Sequence, residues 1–274
     1  MNGTNTLGEF LRARREEVTP EDAGLNPGPG LRRVRGLRRE EVAMLAGISS
    51  DYYLRLEQGR DRHPSVQILD ALAGVLRLDA AATEYMIGLT RPRSRTTRRR
   101  SAADTVPASV LHLMTEMPMP AFIQNRYLDV LAANRMAHAL SPNLAPGVNR
   151  LRAALLDPAE KALHRDWTQA TANAIAGLRA EAGAGGDDPR MAALVGDLSL
   201  KSDRFRKLWA RHDVRARAGR VSRLHHPEVG DLDLFCDKLG IPGEEGQLLV
   251  VYHAEPGSES SRLLNLLGSL AASS

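Results

Sequence analysis

The sequence predicts two folded parts of different class, an all-α part at the N-terminus and an α+β part after it. Apolar residues recur at helical spacing through residues 1–92. Short alternating or fully apolar runs, with turn residues between them, lie at both ends of residues 106–274, and helical runs separate them. This order is the one expected for an antiparallel sheet in an α+β domain. A chain of 274 residues is also long enough for two domains.

The first predicted helix spans Leu7–Val18 and has an apolar face opposite a basic one. The following stretch, Pro20–Gly36, is rich in proline and glycine, which excludes a helix. It leads into an arginine-rich segment, residues 31–39. That segment is either a solvated loop or a contact to phosphate or to the minor groove of DNA, and the sequence leaves both interpretations open.

Residues 38–60 predict two short helices joined by a tight turn. Gly47 supplies the turn, because a residue without a Cβ atom adopts positive φ at no steric cost. Ser49 occupies the N-cap of the second helix, which runs to Gln58. The pair has the layout of a helix-turn-helix, whose second helix enters the major groove of DNA.

The candidate DNA-contacting residues lie mainly at the start of this second helix, which is the part that reaches base edges. Arg55 can bond to guanine O6 and N7, Asp51 can accept from cytosine N4, and Tyr52 suits a phosphate or a thymine methyl group. Arg39 is the candidate phosphate contact of the first helix. The predicted set is Arg39, Ser49, Ser50, Asp51, Tyr52 and Arg55.

Two further helices complete a five-helix domain that is predicted to span residues 1–92. Ser65 and Asp79 stand at their N-caps. An arginine-rich linker without apolar residues follows, and we assign it to residues 93–105. Whether the arginines of residues 91–100 also contact DNA stays open.

The second domain is predicted to span residues 106–274 and to contain strands near each end, with helices between them. The strands are predicted at Ala121–Gln124, Tyr127–Ala132, Val221–His225, Leu232–Leu239 and Gln247–Ala254. The helices are predicted from Asn134, at Val148–Leu155, Pro158–Gly183, Asp188–Lys201 and Ser202–His212, and at the end over Ser258–Ala272.

Charge is distributed unevenly between the two parts. Residues 1–105 contain 18 arginines, no lysine and 14 acidic residues, whereas residues 106–274 contain 19 basic and 19 acidic residues. The entire formal excess of +4 therefore accompanies the helix-turn-helix, as binding to phosphate requires.

Composition and motifs exclude several other classes of protein. The single cysteine, Cys236, excludes an internal disulfide and fits a reducing compartment. The sequence lacks a signal peptide at its start and an apolar run of membrane-spanning length, so we expect a cytoplasmic protein. It also lacks the common nucleophile, nucleotide-binding and zinc-protease motifs. We therefore predict no enzymatic activity, no cofactor and no metal.

The segments EEVAMLAGIS, DYYLRLEQGR and PSVQILDALAGVL resemble the Xre-type helix-turn-helix of bacterial transcription regulators. Together with the C-terminal HPEVGDLDL and LLVVYHAEPGS, they resemble the actinobacterial MmyB-like subfamily over nearly the whole chain. The resemblance implies a PAS-like fold for the second domain and a small ligand of fatty-acid type. It also implies a structural role for Glu57. Arg39 departs from the family, which usually has a glutamine there.

The candidate ligand-binding residues are Trp209, His212, Val214 and His225, which mix aromatic and apolar surface with polar groups. Trp209 and His212 share a helix face, and a protonated His212 suits an acidic head group. The alternative is that Trp209 and His212 only pack the helix against the sheet.

These observations predict a ligand-responsive, sequence-specific transcription regulator that binds an operator as a homodimer. Two other classes remain open at this point. One is an enzyme with a DNA-binding domain that regulates its own expression, and the other is a protein-interaction regulator of antitoxin type. The sequence identifies neither the operator nor the effector, and it does not distinguish a repressor from an activator.

Overall fold

The computed structural model describes residues 6–26, 35–61, 63–90, 104–184, 188–214, 220–244 and 246–273. The arginines at 32 and 33 and those of residues 91–100 lie outside this part of the chain. Contacts between residues divide the chain into two compact units. The first unit comprises residues 1–94, 179–188 and 207–216, and the second comprises residues 95–178, 189–206 and 217–274.

The first unit contains the five predicted helices of the N-terminal part. They are α1 (Thr6–Glu17), α2 (Arg39–Leu45), α3 (Ser50–Glu57), α4 (Val66–Val75) and α5 (Ala80–Thr90). The predicted N-caps are confirmed for α4 and α5, where the side chains of Ser65 and Asp79 accept from backbone N–H groups at 3.4 and 2.8 Å.

The core of the first unit consists of large apolar side chains from all five helices and the loop before α2. Its fully buried members include Phe10, Leu37, Val42, Leu72 and Met86. Burying side chains of this size is the main favourable contribution to folding, at about 1.5–3 kcal/mol each. The periodicity of the sequence anticipates this core because each helix contributes one face.

Gly36 permits a close approach of the chain to the end of α1. A Cβ atom at this position would lie 2.5 Å from the backbone oxygens of both Arg15 and Glu16. The next residue, Leu37, donates its N–H to the carbonyl of Arg15 at 3.0 Å and buries its side chain completely. The glycine therefore lets the long loop return to the core directly before α2.

The second unit combines one sheet with helices. Its strands are β1 (Ala121–Gln124), β2 (Val130–Ala133), β3 (Arg220–His226), β4 (Gly230–Gly240) and β5 (Leu248–His253). Helices that lie entirely in it are α6 (Ala108–Glu116), α7 (Arg135–Leu140), α8 (Arg150–Leu156), α9 (Pro158–Leu163), α11 (Pro189–Lys201) and α13 (Glu259–Ser273). Helices that contribute residues to both units are α10 (Trp167–Ala184) and α12 (Asp203–Ala210).

The five strands form one antiparallel sheet in the order β2-β1-β5-β4-β3. Side chains alternate between its two faces. One face carries an apolar cluster that includes Phe122, Leu234 and Val250 together with residues of α7 and α13. The other face carries a smaller cluster in which Ile123 and Val251 pack with α6. Both faces of the central strands are therefore buried, which explains the continuous apolar sequence of β1 and β5.

Several elements differ from the sequence prediction. The helix predicted over Ser202–His212 ends at Ala210, and His212 has a φ of +54°. The strand predicted from Tyr127 begins only at Val130, because the Asn125 side chain accepts from the backbone N–H groups of Tyr127 and Asp129 and closes a turn. The helix predicted over residues 158–183 is two helices, α9 and α10, and His164 between them forms a bridge to Leu224 of β3. Helix α6 was not predicted.

The predicted fold class is confirmed: an all-α N-terminal helix-turn-helix domain precedes an α+β domain with an antiparallel sheet. Segments 179–188 and 207–216, which the sequence places in the second domain, belong to the first unit by their contacts. In the described part of the chain no helix is both long and apolar enough to cross a membrane.

Candidate DNA interface and ligand site

The turn between α2 and α3 has the backbone geometry that the sequence predicts. Gly47 has φ +68°, and Ile48 donates its N–H to the carbonyl of Ala43 at 2.9 Å, which ends α2. The hydroxyl of Ser49 accepts from the N–H of Tyr52 at 3.1 Å and caps α3. The two helices therefore begin and end at defined residues, and the first turn of α3 is held in a fixed conformation.

A buried ion cluster joins α1, α2 and α3. One oxygen of Glu57, whose side chain is fully buried, accepts from Arg15 at 2.7 Å, and its other oxygen accepts from Arg39 at 2.7 Å. Arg15 also donates to the carbonyl of Leu37 at 2.8 Å. Burial would raise the pKa of Glu57, but the hydrogen bonds and charges of the two arginines outweigh it and hold the pKa below its ordinary value. The carboxylate is therefore ionised and fully paired at neutral pH.

Arg39 is thus a structural partner of Glu57 as well as a candidate phosphate contact. Its side chain is 40% exposed, so part of the guanidinium faces solvent while Nε binds the carboxylate. The ion pair also explains how an arginine is accommodated at this position. Glu57 has the structural role that the family resemblance implies.

The remaining candidates lie on the outer face of α3. Ser49, Ser50, Asp51 and Arg55 are exposed, and Tyr52 is half-buried. The Arg55 guanidinium lies 5.5 Å from the centre of the Tyr52 ring, and within the described chain it forms no ion pair. A cation that is held by an aromatic ring and lacks a carboxylate partner is available to bind a base edge or a phosphate.

The predicted ligand residues fall in different units. Val214 is 6% exposed and lies in the core of the first unit, so it fills space instead of lining a cavity. Trp209 and His212 also belong to the first unit, where the Arg179 guanidinium lies 3.9 Å from the centre of the indole ring and 3.1 Å from His212 Nδ1. His225 belongs to the second unit, with its side chain 62% exposed and paired with an aspartate.

His212 also lacks the charge that an acidic ligand requires. Burial, and then the neighbouring charges of Arg179 and Arg14, lower the pKa of His212 to about 4. The imidazole is therefore neutral between pH 6 and 8. The expectation that its protonation in this range favours an acidic head group is wrong, because a buried histidine beside two arginines resists a further positive charge.

A different polar group lies within the apolar cluster on one face of the sheet. Gln124 and Tyr252 are buried on the same face as Phe122. The Arg150 guanidinium lies over the Phe122 ring, 4.6 Å from its centre, and donates to Gln124 Oε1 at 2.8 Å and to the Tyr252 hydroxyl at 3.2 Å. Backbone hydrogen bonds hold Arg150 against the sheet, including one from its N–H to the carbonyl of Leu128 at 2.9 Å.

This group is incompletely paired. Gln124 Nε2 is buried, and among the described residues no acceptor lies within hydrogen-bonding distance of it. The orientation of the amide is fixed, because its oxygen must face the arginine donor. Arg150 itself forms no ion pair to a described carboxylate, although Glu160 is close enough for the charge of Arg150 to help lower its pKa. The Arg150 group thus contains a buried donor without a described partner and a half-buried cation that no described carboxylate pairs with directly.

Glu160 does not supply the missing acceptor. Its carboxylate accepts from the Ser141 hydroxyl at 2.6 Å, is 3.2 Å from Asn143 Nδ2 and lies 3.3 Å from His164 Nε2. These contacts occupy both of its oxygens. The sequence offers one signal for the Arg150 group, namely a glutamine at an inward position of the apolar strand AFIQ, but Arg150 lies outside any strand and cannot be assigned to it from spacing.

A separate open cleft of about 550 Å³ lies in the second unit beside α8. Its polar side chains are paired with one another: Asn149 Nδ2 donates to Asp129 at 2.6 Å, and Asn143 Nδ2 donates to Asp157 at 2.8 Å. Across the described ranges, no cluster of histidine, cysteine, aspartate or glutamate side chains is arranged to hold a metal ion. The Arg150 group is therefore the better candidate for a ligand.

Comparison with known families agrees with this architecture. Residues 6–86 match a helix-turn-helix domain family. Residues 106–267 match the MmyB-like transcription regulator ligand binding domain. No curated protein matches the chain. The second match covers more than half of the chain, so the chain belongs to the MmyB-like family. It is a DNA-binding transcription regulator controlled by a ligand of its C-terminal domain.

Proposed function

We propose that this protein is a cytoplasmic regulator that recognises an operator sequence as a homodimer and responds to an apolar carboxylic acid. The observation that carries the ligand part is the unpaired Nε2 of Gln124 beside the Arg150 guanidinium. The DNA part rests on the exposed first turn of α3. The ligand proposal and the DNA proposal need separate experiments.

The proposed DNA contacts are the predicted ones. Ser50, Asp51 and Arg55 are exposed at the start of α3, where a recognition helix meets base edges. Arg55 is proposed to read guanine, because a guanidinium can bond to O6 and N7 at once. Ser49 and Tyr52 are proposed to contact the backbone or a thymine methyl group. Arg39 is proposed to contact phosphate with the exposed part of its side chain.

A homodimer is proposed because one recognition helix reads only a short half-site. Two copies on half-sites one helical turn apart, about 34–36 Å, give the length that a specific operator needs. Sedimentation of the protein with and without a selected DNA duplex measures the stoichiometry. Two chains per duplex support the proposal, and one chain per duplex overturns it.

An acidic ligand is supported by the chemistry of the Arg150 group. A carboxylate accepts several hydrogen bonds, and its negative charge would pair with the Arg150 guanidinium. One oxygen would satisfy Gln124 Nε2, which otherwise costs about 1–3 kcal/mol as a buried unpaired donor. The surrounding cluster of Phe122, Leu140 and Leu163 is apolar and suits a hydrocarbon tail. A fatty acid combines these two properties.

Native mass spectrometry of the purified full chain tests this proposal. After removal of bound lipid, octanoate, dodecanoate or hexadecanoate should bind to the wild-type protein with a stoichiometry of one per chain. Arg150→Met should lose most of this binding. Arg152→Met is the matched control, because Arg152 lies two residues further on and pairs with Asp197 at the surface. Equal binding by wild type and Arg150→Met would remove Arg150 from the site.

A further inference from the structure

Helices α10 and α12 each supply residues to both units. Residues 167–178 and 203–206 belong to the second unit, whereas residues 179–184 and 207–210 belong to the first. All of these residues lie within the span that matches the ligand-binding family. The helix-turn-helix unit is therefore completed by residues that the ligand-binding sequence provides.

Arg179 makes several of the polar contacts of these segments. Its side chain is buried, and its guanidinium donates to the backbone carbonyl of Trp209, contacts His212 Nδ1 at 3.1 Å and lies 3.9 Å from the centre of the Trp209 ring. It is also close enough to Tyr85 of α5 to oppose the rise in the pKa of the Tyr85 hydroxyl that burial causes. The Tyr85 ring in turn lies 5.3 Å from the Phe10 ring of α1. One side chain thus links α10 and α12 to α5, and through Tyr85 to the core around α1.

A buried guanidinium without a carboxylate partner is costly, because burial removes its hydration. Within the described residues Arg179 forms no ion pair, and burial lowers its pKa from the ordinary value. Its contacts are instead directional bonds to neutral acceptors and a stacked ring. Such an arrangement fixes geometry more than it contributes net stability. That is the property expected of a residue whose role is to position helices.

Apolar and charged contacts surround Arg179. Val214 lies in the core of the first unit, and Ala180 packs against that core. Arg14 of α1 donates to Asp213 at 3.0 Å, and Arg211 lies 3.7 Å from Glu17. The two charged contacts bind segment 207–216 to α1, and Ala180 of segment 179–188 packs against the core of the first unit.

The same two helices are joined a second time within the second unit. Arg204 of α12 donates to the Thr171 hydroxyl at 2.8 Å and to the carbonyl of Thr168 at 2.5 Å, and it lies 4.6 Å from the centre of the Trp167 ring. Arginine thus joins α10 and α12 in each unit, and each arginine stacks on a tryptophan. The two helices are held as a pair along their length.

We propose that Arg179 is a positioning residue that fastens the α10–α12 pair to α1 and α5 of the helix-turn-helix domain, and that the ligand acts on DNA binding through this pair. The effect of the ligand on DNA binding rests on the proposed function, whereas the positioning role of Arg179 does not. Ligand control then requires only that binding changes the balance between two arrangements of the pair.

Hydrogen exchange of the full chain, without ligand or DNA, tests the fastening. In Arg179→Met the amides of α1 and α5 should exchange roughly tenfold faster or more, because the contacts that suppress local opening are lost. Arg204→Met is the matched control. It should accelerate exchange in α10 and α12 near Trp167 and leave α1 and α5 unchanged. Unchanged exchange of α1 and α5 in a folded Arg179→Met protein overturns the proposal.

If Arg179→Met does not fold, Tyr85→Phe decides the question, because it removes only the hydroxyl that lies near Arg179. Faster exchange in α5 supports the fastening, and exchange equal to that of wild type overturns it. The regulatory half is tested by adding dodecanoate to wild type and Arg179→Met bound to a selected DNA duplex. A wild-type response that Arg179→Met lacks supports it, and equal responses overturn it. Absence of a response in wild type counts against the proposed ligand and leaves the exchange result standing.

Discussion

Two charged groups, the buried Glu57 in the first unit and the half-buried Arg150 in the second, differ in how completely they are paired. Glu57 receives one arginine on each carboxylate oxygen, both at 2.7 Å. Among the described residues, Arg150 has only the neutral acceptors Gln124 and Tyr252, and Gln124 Nε2 has no hydrogen-bond partner. Both groups join several elements, and both include residues that are nearly or fully buried.

The difference between them lies in what each group still requires. Around Glu57 every charge has a partner from the chain itself, so nothing external improves it and its role is to hold three helices together. Around Arg150 no described carboxylate forms a direct ion pair, and a buried polar group without its partner costs free energy. A ligand that supplies the anion recovers that free energy. Complete pairing therefore identifies a structural cluster, and incomplete pairing identifies a candidate site.

The largest expected effect comes from breaking the complete cluster. Glu57→Gln leaves Arg15 buried without its carboxylate, and we expect the free energy of unfolding to fall by about 3–5 kcal/mol. Denaturant titration of the full chain measures this, following the helical signal. Glu84→Gln, at an exposed position of α5, is the control and should change stability by less than about 0.5 kcal/mol. A loss as small as that of the control would show that the cluster is not a structural requirement.

A pH titration of stability examines His212, a third buried group and one that stands beside two cations. Its pKa of about 4 lies below the ordinary 6.5, so the unfolded chain takes up the proton first. The stabilisation is complete above pH 6.5 and is lost as pH falls toward 4, by at most about 1.4 kcal/mol per unit. His212→Gln should remove this slope, and His112→Gln, at an exposed site, should keep it. A slope that survives in His212→Gln contradicts the assignment.

Breaking the incomplete group should lower ligand affinity as well as stability. Arg150→Met removes a half-buried cation and leaves the buried Gln124 Oε1 without its donor, so we expect the free energy of unfolding to fall by about 1–3 kcal/mol, less than in Glu57→Gln. Affinity for dodecanoate should fall at least about tenfold to a hundredfold, because the charged hydrogen bond to the ligand is lost. Calorimetry and denaturant titration on the same samples give both values. A large stability loss with wild-type affinity would place Arg150 with Glu57 as a structural residue.

The smallest effects concern DNA readout. Arg55→Ala should weaken binding to the selected operator by about 1–3 kcal/mol and relax the preference at one base pair. Arg39→Ala should weaken binding to all sequences, reduce the salt dependence, and also lower stability because it uncovers one oxygen of Glu57. Competition binding with single-base variants of the operator distinguishes these outcomes. Equal, sequence-independent losses for both variants would limit Arg55 to a phosphate contact.

The sequence predicts the first unit better than the second, and the reason is the range of the interactions. Gly47, Ser49 and Ser65 act on residues at most four positions away, so the turn and the caps follow from local chemistry. The sheet follows from apolar alternation, and the boundary at Val130 was missed because the Asn125 turn competes with the strand for backbone hydrogen bonds. Most helices and the fold class could therefore be predicted from the sequence.

The candidate ligand site could not be predicted from the sequence in the same way. Trp209 lies in α12 and His212 follows the end of that helix, and the sequence does not show that Arg179, 30 and 33 positions earlier, contacts both of them. Arg150 reaches Tyr252 across 102 positions, and only the folded sheet brings them together. Whether a buried polar side chain has a hydrogen-bond partner depends on contacts between distant segments. Spacing along the chain does not reveal those contacts.

The most direct test of the account is the DNA affinity of the lipid-free full chain with and without dodecanoate, for wild type and Arg150→Met. The duplex is one selected from a random library by the wild-type protein. We predict that dodecanoate changes the Kd of wild type at least about tenfold, which corresponds to a coupling free energy of about 1.4 kcal/mol. Arg150→Met should bind the same duplex with the ligand-free wild-type Kd, and it should need at least about tenfold more dodecanoate than wild type for the same change in Kd. An Arg150→Met protein that responds like wild type, or a wild type that binds dodecanoate with no change in Kd, would contradict the account.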